Sequence, residues 1–68
     1  SIHTGDLVCL KNFYSKMSLL DHDSISCVCG YVLKTDILFV LKVTNNISAL
    51  IMGPMCIGWI SLGAIEKV

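Results

Sequence analysis

The chain has 68 residues, of which 54% are hydrophobic and 15% are charged, and five lysines balance five acidic residues to give zero net charge. This length allows one domain, residues 1–68, with a small core. A composition so poor in charge and rich in aliphatic residues excludes intrinsic disorder. The absence of arginine and of a basic surplus disfavours a nucleic-acid-binding protein.

The N-terminal half of the chain contains two predicted strands separated by a polar stretch. Residues 7–10 form a short apolar run after the turn signal Gly5-Asp6, which predicts the first strand. Residues 11–26 are the most polar stretch and predict a long exposed loop. Residues 25–33 alternate in the manner of a strand, and Gly30 within them indicates a bulge or a close backbone approach.

Three more strands are predicted in the C-terminal half, over residues 37–44, 47–52 and 55–60. Asn45-Asn46 predicts a hairpin turn because asparagine tolerates a positive φ, and Gly53-Pro54 predicts the next turn. Both faces of the first half of strand 37–44 are apolar, so we expect that half to be covered on both sides.

The chain closes with residues 61–64, which have the length of a single 3₁₀ turn, and residues 65–68, which could complete the sheet. Short strands joined mainly by tight turns are typical of a small all-β barrel or sandwich. We therefore expect an all-β, five-stranded antiparallel barrel with a long first loop and essentially no α-helix.

Three features resemble those of Src-homology-3-like barrels, one of which is a long loop that follows the first strand and precedes three consecutive hairpin strands. The opening Gly5-Asp6-Leu7-Val8 resembles their first strand, and residues 58–66 resemble their close, where a glycine-led strand enters a 3₁₀ turn and a short final strand. The resemblance implies an SH3-like barrel and extends to small proteins of bacterial viruses and mobile elements. The groove residues of peptide-binding members are replaced by Ser61, Gly63 and Ala64, so a proline-rich ligand is not expected.

A different interpretation concerns residues 43–65, which carry no charged side chain. About 20 apolar residues can cross a bilayer, so a small single-span or peripheral membrane protein is an alternative. Asn45-Asn46, Gly53-Pro54 and two further glycines argue against a single helix there. No signal peptide is recognisable at the N-terminus, which favours a cytoplasmic protein with reduced thiols.

Four cysteines, Cys9, Cys27, Cys29 and Cys56, allow three interpretations. Buried core thiols are favoured because free cysteine packs as a small hydrophobe, and a disulfide or a metal site is less favoured. Cys27 and Cys29 would lie about 6.6 Å apart along a strand, which is long for two ligands of one ion. We expect no metal and no cofactor.

General acid–base chemistry near neutral pH would depend on His3 and His22, of which the second is flanked by Asp21 and Asp23. One histidine lies near a terminus and the other in the polar stretch, and so small a barrel has little room for a closed pocket. We therefore expect no catalytic residues and no enzymatic activity.

The remaining hypothesis is a non-catalytic protein–protein interaction module that binds a second copy of itself, a larger protein, or both. The preferred contact residues are Trp59 and Met55, followed by Phe13 and Tyr14, because aromatic residues and methionine are enriched in interfaces. Two lysines beside the Phe13-Tyr14 pair suggest a nucleic-acid-associated barrel as a second alternative, but nearby aspartates oppose their charge.

Overall fold

A computed structural model describes residues 1–22 and 27–68 of the chain, and within them the protein is all-β. A single 3₁₀ turn, Leu62–Ala64, is the one helical element of this part. The strands are β1 Leu7–Leu10, β2 Lys16–Leu20, β3 Val28–Leu33, β4 Leu38–Thr44, β5 Ser48–Met52, β6 Ile57–Ser61 and β7 Ile65–Lys67.

The seven strands form one antiparallel sheet in the order β3-β2-β6-β5-β4-β1-β7. The prediction of an all-β antiparallel fold with a C-terminal 3₁₀ turn is confirmed, and the predicted number of five strands is wrong. Among the described residues β3 and β7 do not pair, so the sheet is open rather than a closed barrel.

The largest correction concerns the predicted long loop over residues 11–26, part of which is the strand β2. This strand pairs with β3 along its whole length, and a register shift between Leu19 and Leu20 leaves Cys29 as the extra residue of a bulge. The bulge lies beside Gly30, as that glycine predicted. The first two residues of the strand predicted over 25–33 lie outside the described residues.

Among the described residues, the backbone of the β2–β3 hairpin pairs with the rest of the sheet at Leu20↔Trp59. The hairpin folds over the turn between β5 and β6. A Cβ on Gly30 would lie only 2.9 Å from the Cβ of Met55, and one on Gly53 would lie 2.7 Å from Leu19 Cδ1. The contact at Gly30 leaves no room for a side chain, and both contacts bring the hairpin against the β5–β6 turn and the core.

The strands β4, β5 and β6 form a meander with short turns, as predicted. Asn45 and Asn46 both have positive φ, 51° and 55°, and the N–H of Ile47 donates to the carbonyl of Thr44. A turn with positive φ at both central residues matches the right-handed twist of the two strands it joins. Asparagine tolerates positive φ, which explains why asparagine occupies both positions.

One face of the sheet is buried and the other is not. Leu38, Val40, Ala49 and Ile51 are fully buried on the inner face, whereas Phe39, on the opposite face of β4, is 41% exposed. The expectation that the first half of this strand is covered on both sides is therefore wrong, because residues 1–22 and 27–68 place no layer on the second face. The complete core consists of Val8, Leu10, Leu19, Val32, Leu38, Val40, Ala49, Ile51, Ile60, Ala64 and Ile65.

The 3₁₀ turn brings the chain end back beside β1. The hydroxyl of Ser61 accepts a hydrogen bond from Gly63 N–H, and Lys11 N–H donates to the Ala64 carbonyl. The run 43–65 thus contains β5, β6 and this turn. Within the described part of the chain, we find no helix with the length and apolar character needed to cross a bilayer.

Candidate protein-interaction surface

A row of apolar side chains crosses four strands on the solvent-facing side of the sheet. The register pairs Leu7 with Phe39, Phe39 with Met52, and Met52 with Ile57. Directly paired residues of adjacent strands place their side chains on the same face. All four are 41–54% exposed, so the row is continuous and open to solvent.

A second row runs parallel to the first. Trp59 pairs with Leu50 on one side and with Leu20 on the other, and Leu20 pairs in turn with Val28. Leu50 and Trp59 stand two residues from Met52 and Ile57, which puts both rows on one face. We call this surface of eight side chains the outer face.

Charge is confined to the margin of the outer face. Lys42 pairs with Leu50 and ends the second row on β4. Interface centres are depleted in charged residues and enriched in aromatic residues and methionine, which matches Phe39, Met52 and Trp59. A partner that covers the outer face therefore excludes water from it.

Apart from the outer face, a hollow of about 370 Å³ lies between the β2–β3 hairpin and the β5–β6 turn. Met55, which is 66% exposed, and Tyr31 line its apolar part. The Lys16 ammonium lies 4.3 Å from the centre of the Tyr31 ring, a cation–π contact that orients both side chains. Asp36 also lines the hollow, and its carboxylate is already engaged by the Leu33 N–H at 2.8 Å.

Phe13 and Tyr14 form a tilted pair with ring centroids 4.7 Å apart. Phe13 is 74% exposed, whereas Tyr14 is half-buried and packs against the core. The pair precedes β2, in the connection from β1, and Tyr14 N–H donates to the Lys11 carbonyl. Tyr14 thus anchors a turn that presents Phe13 to solvent.

The four contact residues predicted from the sequence therefore occupy three places. Trp59 belongs to the outer face, Met55 lines the hollow, and Phe13 with Tyr14 forms a separate pair. The structure brings Phe13 and Tyr14 together. It places Trp59 among apolar residues that the sequence had not indicated as contact residues.

Most of the outer face was missed by sequence reasoning. Phe39 was expected to be covered, and Met52 and Ile57 were placed in strands without being assigned to core or surface. The informative signal was the presence of apolar residues on both alternating faces of β4, β5 and β6. A single sheet with no helix to cover it leaves one such face exposed.

The cysteines differ from the expectation of four reduced thiols. The structure joins Cys29 of β3 to Cys56 in the β5–β6 turn by a disulfide, and Cys9 and Cys27 are free. Sequence alone could not find the pair, because only the folded hairpin brings these distant residues together. Among residues 1–22 and 27–68, no three histidine, cysteine or acidic side chains are grouped so as to hold a metal ion.

The two histidines are both exposed and lie outside the sheet. His3 donates its backbone N–H to Asp6 Oδ2 at 2.7 Å, and Lys67 Nζ lies 3.5 Å from the same oxygen. The hydrogen bond, aided by the lysine charge, holds the pKa of Asp6 below its usual value against a smaller opposing effect of desolvation. Asp23, which flanks His22 in sequence, lies outside the described residues.

Comparison of the chain with protein-family models, with curated proteins and with solved structures found no match.

Proposed function

We propose that this protein is a non-catalytic protein–protein interaction module whose binding surface is the outer face. The observation that carries the proposal is the pair of apolar rows, which extend over six of the seven strands. Each half-exposed side chain keeps apolar area in contact with water, which is unfavourable by roughly 25 cal/mol per Å². A partner that covers the face recovers that free energy.

The distribution of polar groups supports a protein as the partner. Lys42 stands at the end of the second row, so a partner meets an apolar centre with charge at its margin. This arrangement of an apolar core and a polar rim is characteristic of protein interfaces. Nucleic acid requires a basic patch, and the zero net charge of the chain does not favour one.

We further propose that the fold is related to the SH3-like barrels. The meander of β4, β5 and β6, the following 3₁₀ turn, and the return of β7 beside β1 support this relation. The hairpin β2–β3 then corresponds to the long first loop of that family. The proposal concerns architecture, and the binding function depends on the outer face alone.

Photo-cross-linking in the native host tests the binding function. A photoreactive amino acid replaces Met52 on the outer face, and a matched variant carries it at Thr35, which is exposed in the β3–β4 connection. We expect discrete protein adducts at position 52 and a much weaker yield at position 35. Equal yields at both positions, or adducts only with lipid or nucleic acid at position 52, would contradict the proposal.

A further inference from the structure

The outer face also indicates what covers it. Building on the proposed function, we infer that the partner is a second copy of this chain, packed face to face about a two-fold axis that passes close to Met52.

The available area is the first argument. Fully burying an aliphatic side chain removes about 60–120 Å² from water, and aromatic side chains bury about 150–250 Å². The eight side chains of the outer face, which are half-buried or about half-exposed, therefore offer roughly 400 Å² of apolar surface per copy. A standard interface buries about 800 Å² per partner, of which about 56–65% is non-polar. The outer face supplies most of that apolar area, and its polar margin can supply the rest.

The size of the molecule makes this a large contact. A standard-size interface of about 800 Å² corresponds to roughly a fifth of the 4146 Å² surface of one copy. The molecule measures 27 × 24 × 18 Å, so such a contact takes up most of one side of it.

The shape and charge of the face are the second argument. The sheet curves around a single core, so the outer face is its convex side, and two copies can pack together over the central part of that side, around Met52, at the sheet spacing of about 10 Å. An isologous contact requires a surface that complements itself, and apolar rows do so without any pairing of opposite charges. The zero net charge of the chain removes general repulsion between copies.

The position of Met52 on the outer face is the reason for placing the two-fold axis there. Met52 lies on β5 near the middle of the outer face, with Phe39 and Ile57 as its cross-strand neighbours. A residue close to a two-fold axis meets its own counterpart in the other copy. The two Met52 side chains, each half-exposed in one copy, then cover each other.

The first test is the mass of the intact protein in solution. Light scattering over a dilution series should give about twice 7.4 kDa at high concentration and fall towards 7.4 kDa on dilution. A mass of one chain at every concentration up to the high micromolar range would overturn the inference.

A charge-complementation experiment tests the face and the axis. Met52→Lys and Met52→Glu each place like charges together in a homodimer, so each variant alone should dissociate more readily by at least about tenfold. An equimolar mixture should restore the dimer, because the lysine of one copy then meets the glutamate of the other. A mixture that remains monomeric would overturn the proposed axis.

The matched control uses the other exposed methionine of the meander. Met55→Lys and Met55→Glu introduce the same charges at a similarly exposed position in the hollow. We expect both variants to dimerise as the unchanged protein does, and dissociation by either one would contradict the assignment to the outer face. A monomeric protein that still cross-links to another protein through position 52 would refute the second copy and leave the proposed function standing.

Discussion

Three glycines lie where the β2–β3 hairpin meets the end of β5 and the start of β6, and a side chain at any of them would collide with packed neighbours. A Cβ on Gly58 would lie 2.8 Å from Leu19 Cβ and 3.0 Å from the backbone carbonyl oxygen of Leu20. Neither neighbour is the free end of a flexible side chain. The close packing of hairpin on sheet therefore depends on the absence of a side chain here.

We predict that Gly58→Ala lowers the free energy of unfolding by about 1–3 kcal/mol, the usual effect of overpacking a core. Gly63→Ala is the matched control, because a Cβ there meets only Ser61 Oγ at 3.5 Å. Urea denaturation measures both variants. Equal stability of the two would show that the hairpin does not pack against β6 as described.

Asp6 is expected to stabilise the folded protein at neutral pH and to lose this effect in acid. Its pKa is lowered in the folded protein, first by the hydrogen bond from His3 N–H and then by Lys67. A lowered folded-state pKa stabilises the fold above the unfolded value of about 3.9, and that contribution is lost as the pH falls through the folded-state pKa.

Asp6→Asn retains an acceptor for His3 N–H and removes the charge. We expect the difference in melting temperature between the unchanged protein and this variant to be largest near neutral pH and to shrink below about pH 4. Thermal melts followed by circular dichroism between pH 2 and pH 7 measure it. A difference that does not change over this range would contradict the assigned role of the carboxylate.

Among the elements, the three strands of the β4–β5–β6 meander could be predicted from local pattern. The strands β4, β5 and β6 are found within a few residues of their predicted bounds, and the Asn45-Asn46 turn joins two of them. Alternation and turn chemistry are local properties, so they are visible in the sequence.

The strand β2 was not predicted. Lys16, Met17, Ser18 and Leu19 do alternate polar with apolar residues, but they lie in the most polar stretch of the chain, whose composition favours a loop. The segment becomes a strand because β3 pairs with it and because the buried Leu19 packs into the core beside Gly53 and Gly58. These tertiary contacts override local preference.

The disulfide fixes this hairpin to the rest of the sheet. Cys29 and Cys56 are 27 residues apart in sequence. In the chain-entropy description, closing a loop of that length lowers the entropy of the unfolded chain and stabilises the folded protein by about 3.5 kcal/mol. The hairpin otherwise contacts the sheet through one backbone pair and its buried side chains.

We predict that the double variant Cys29→Ala, Cys56→Ala is less stable by about 2–4 kcal/mol in urea denaturation. The reduced protein should show a similar loss, whereas Cys9→Ala should change stability little under oxidising conditions because that thiol is free. Thiol titration of the denatured, unreduced protein should find two free thiols. Four free thiols would contradict the pairing.

At the scale of the whole molecule, the sequence predicts that some strand faces stay exposed without revealing which ones. A chain of 68 residues with 15% charged residues has too few polar side chains to cover its surface. The choice of face depends on the register, which aligns Leu7, Phe39, Met52 and Ile57 across four strands. Register is a property of paired strands and cannot be derived from any one of them.

Two aromatic residues, Trp59 and Phe13, compete as the main contact of the proposed dimer. Trp59 stands at the centre of the second row between Leu50 and Leu20, whereas Phe13 projects from the turn before β2 and is the more exposed of the two. Aromatic residues near the centre of an interface carry much of its binding free energy. If the exposed fraction of the side chain decided the contact between copies, Phe13 would be the main contact residue. If position within the outer face decides it, Trp59 is.

We therefore expect Trp59→Glu to give a monomer that retains a β-sheet circular dichroism spectrum, because the side chain is only half-buried in one copy. Phe13→Glu introduces the same charge and should leave the dimer intact. Light scattering measures the mass, and melting at several protein concentrations provides a second measurement, since the melting temperature of a dimer rises with concentration and that of a monomer does not. Loss of the dimer in Phe13→Glu alone would move the contact to the Phe13–Tyr14 pair. Global unfolding of Trp59→Glu would place this side chain in the core, and Met52→Lys would then decide whether the outer face holds the two copies together.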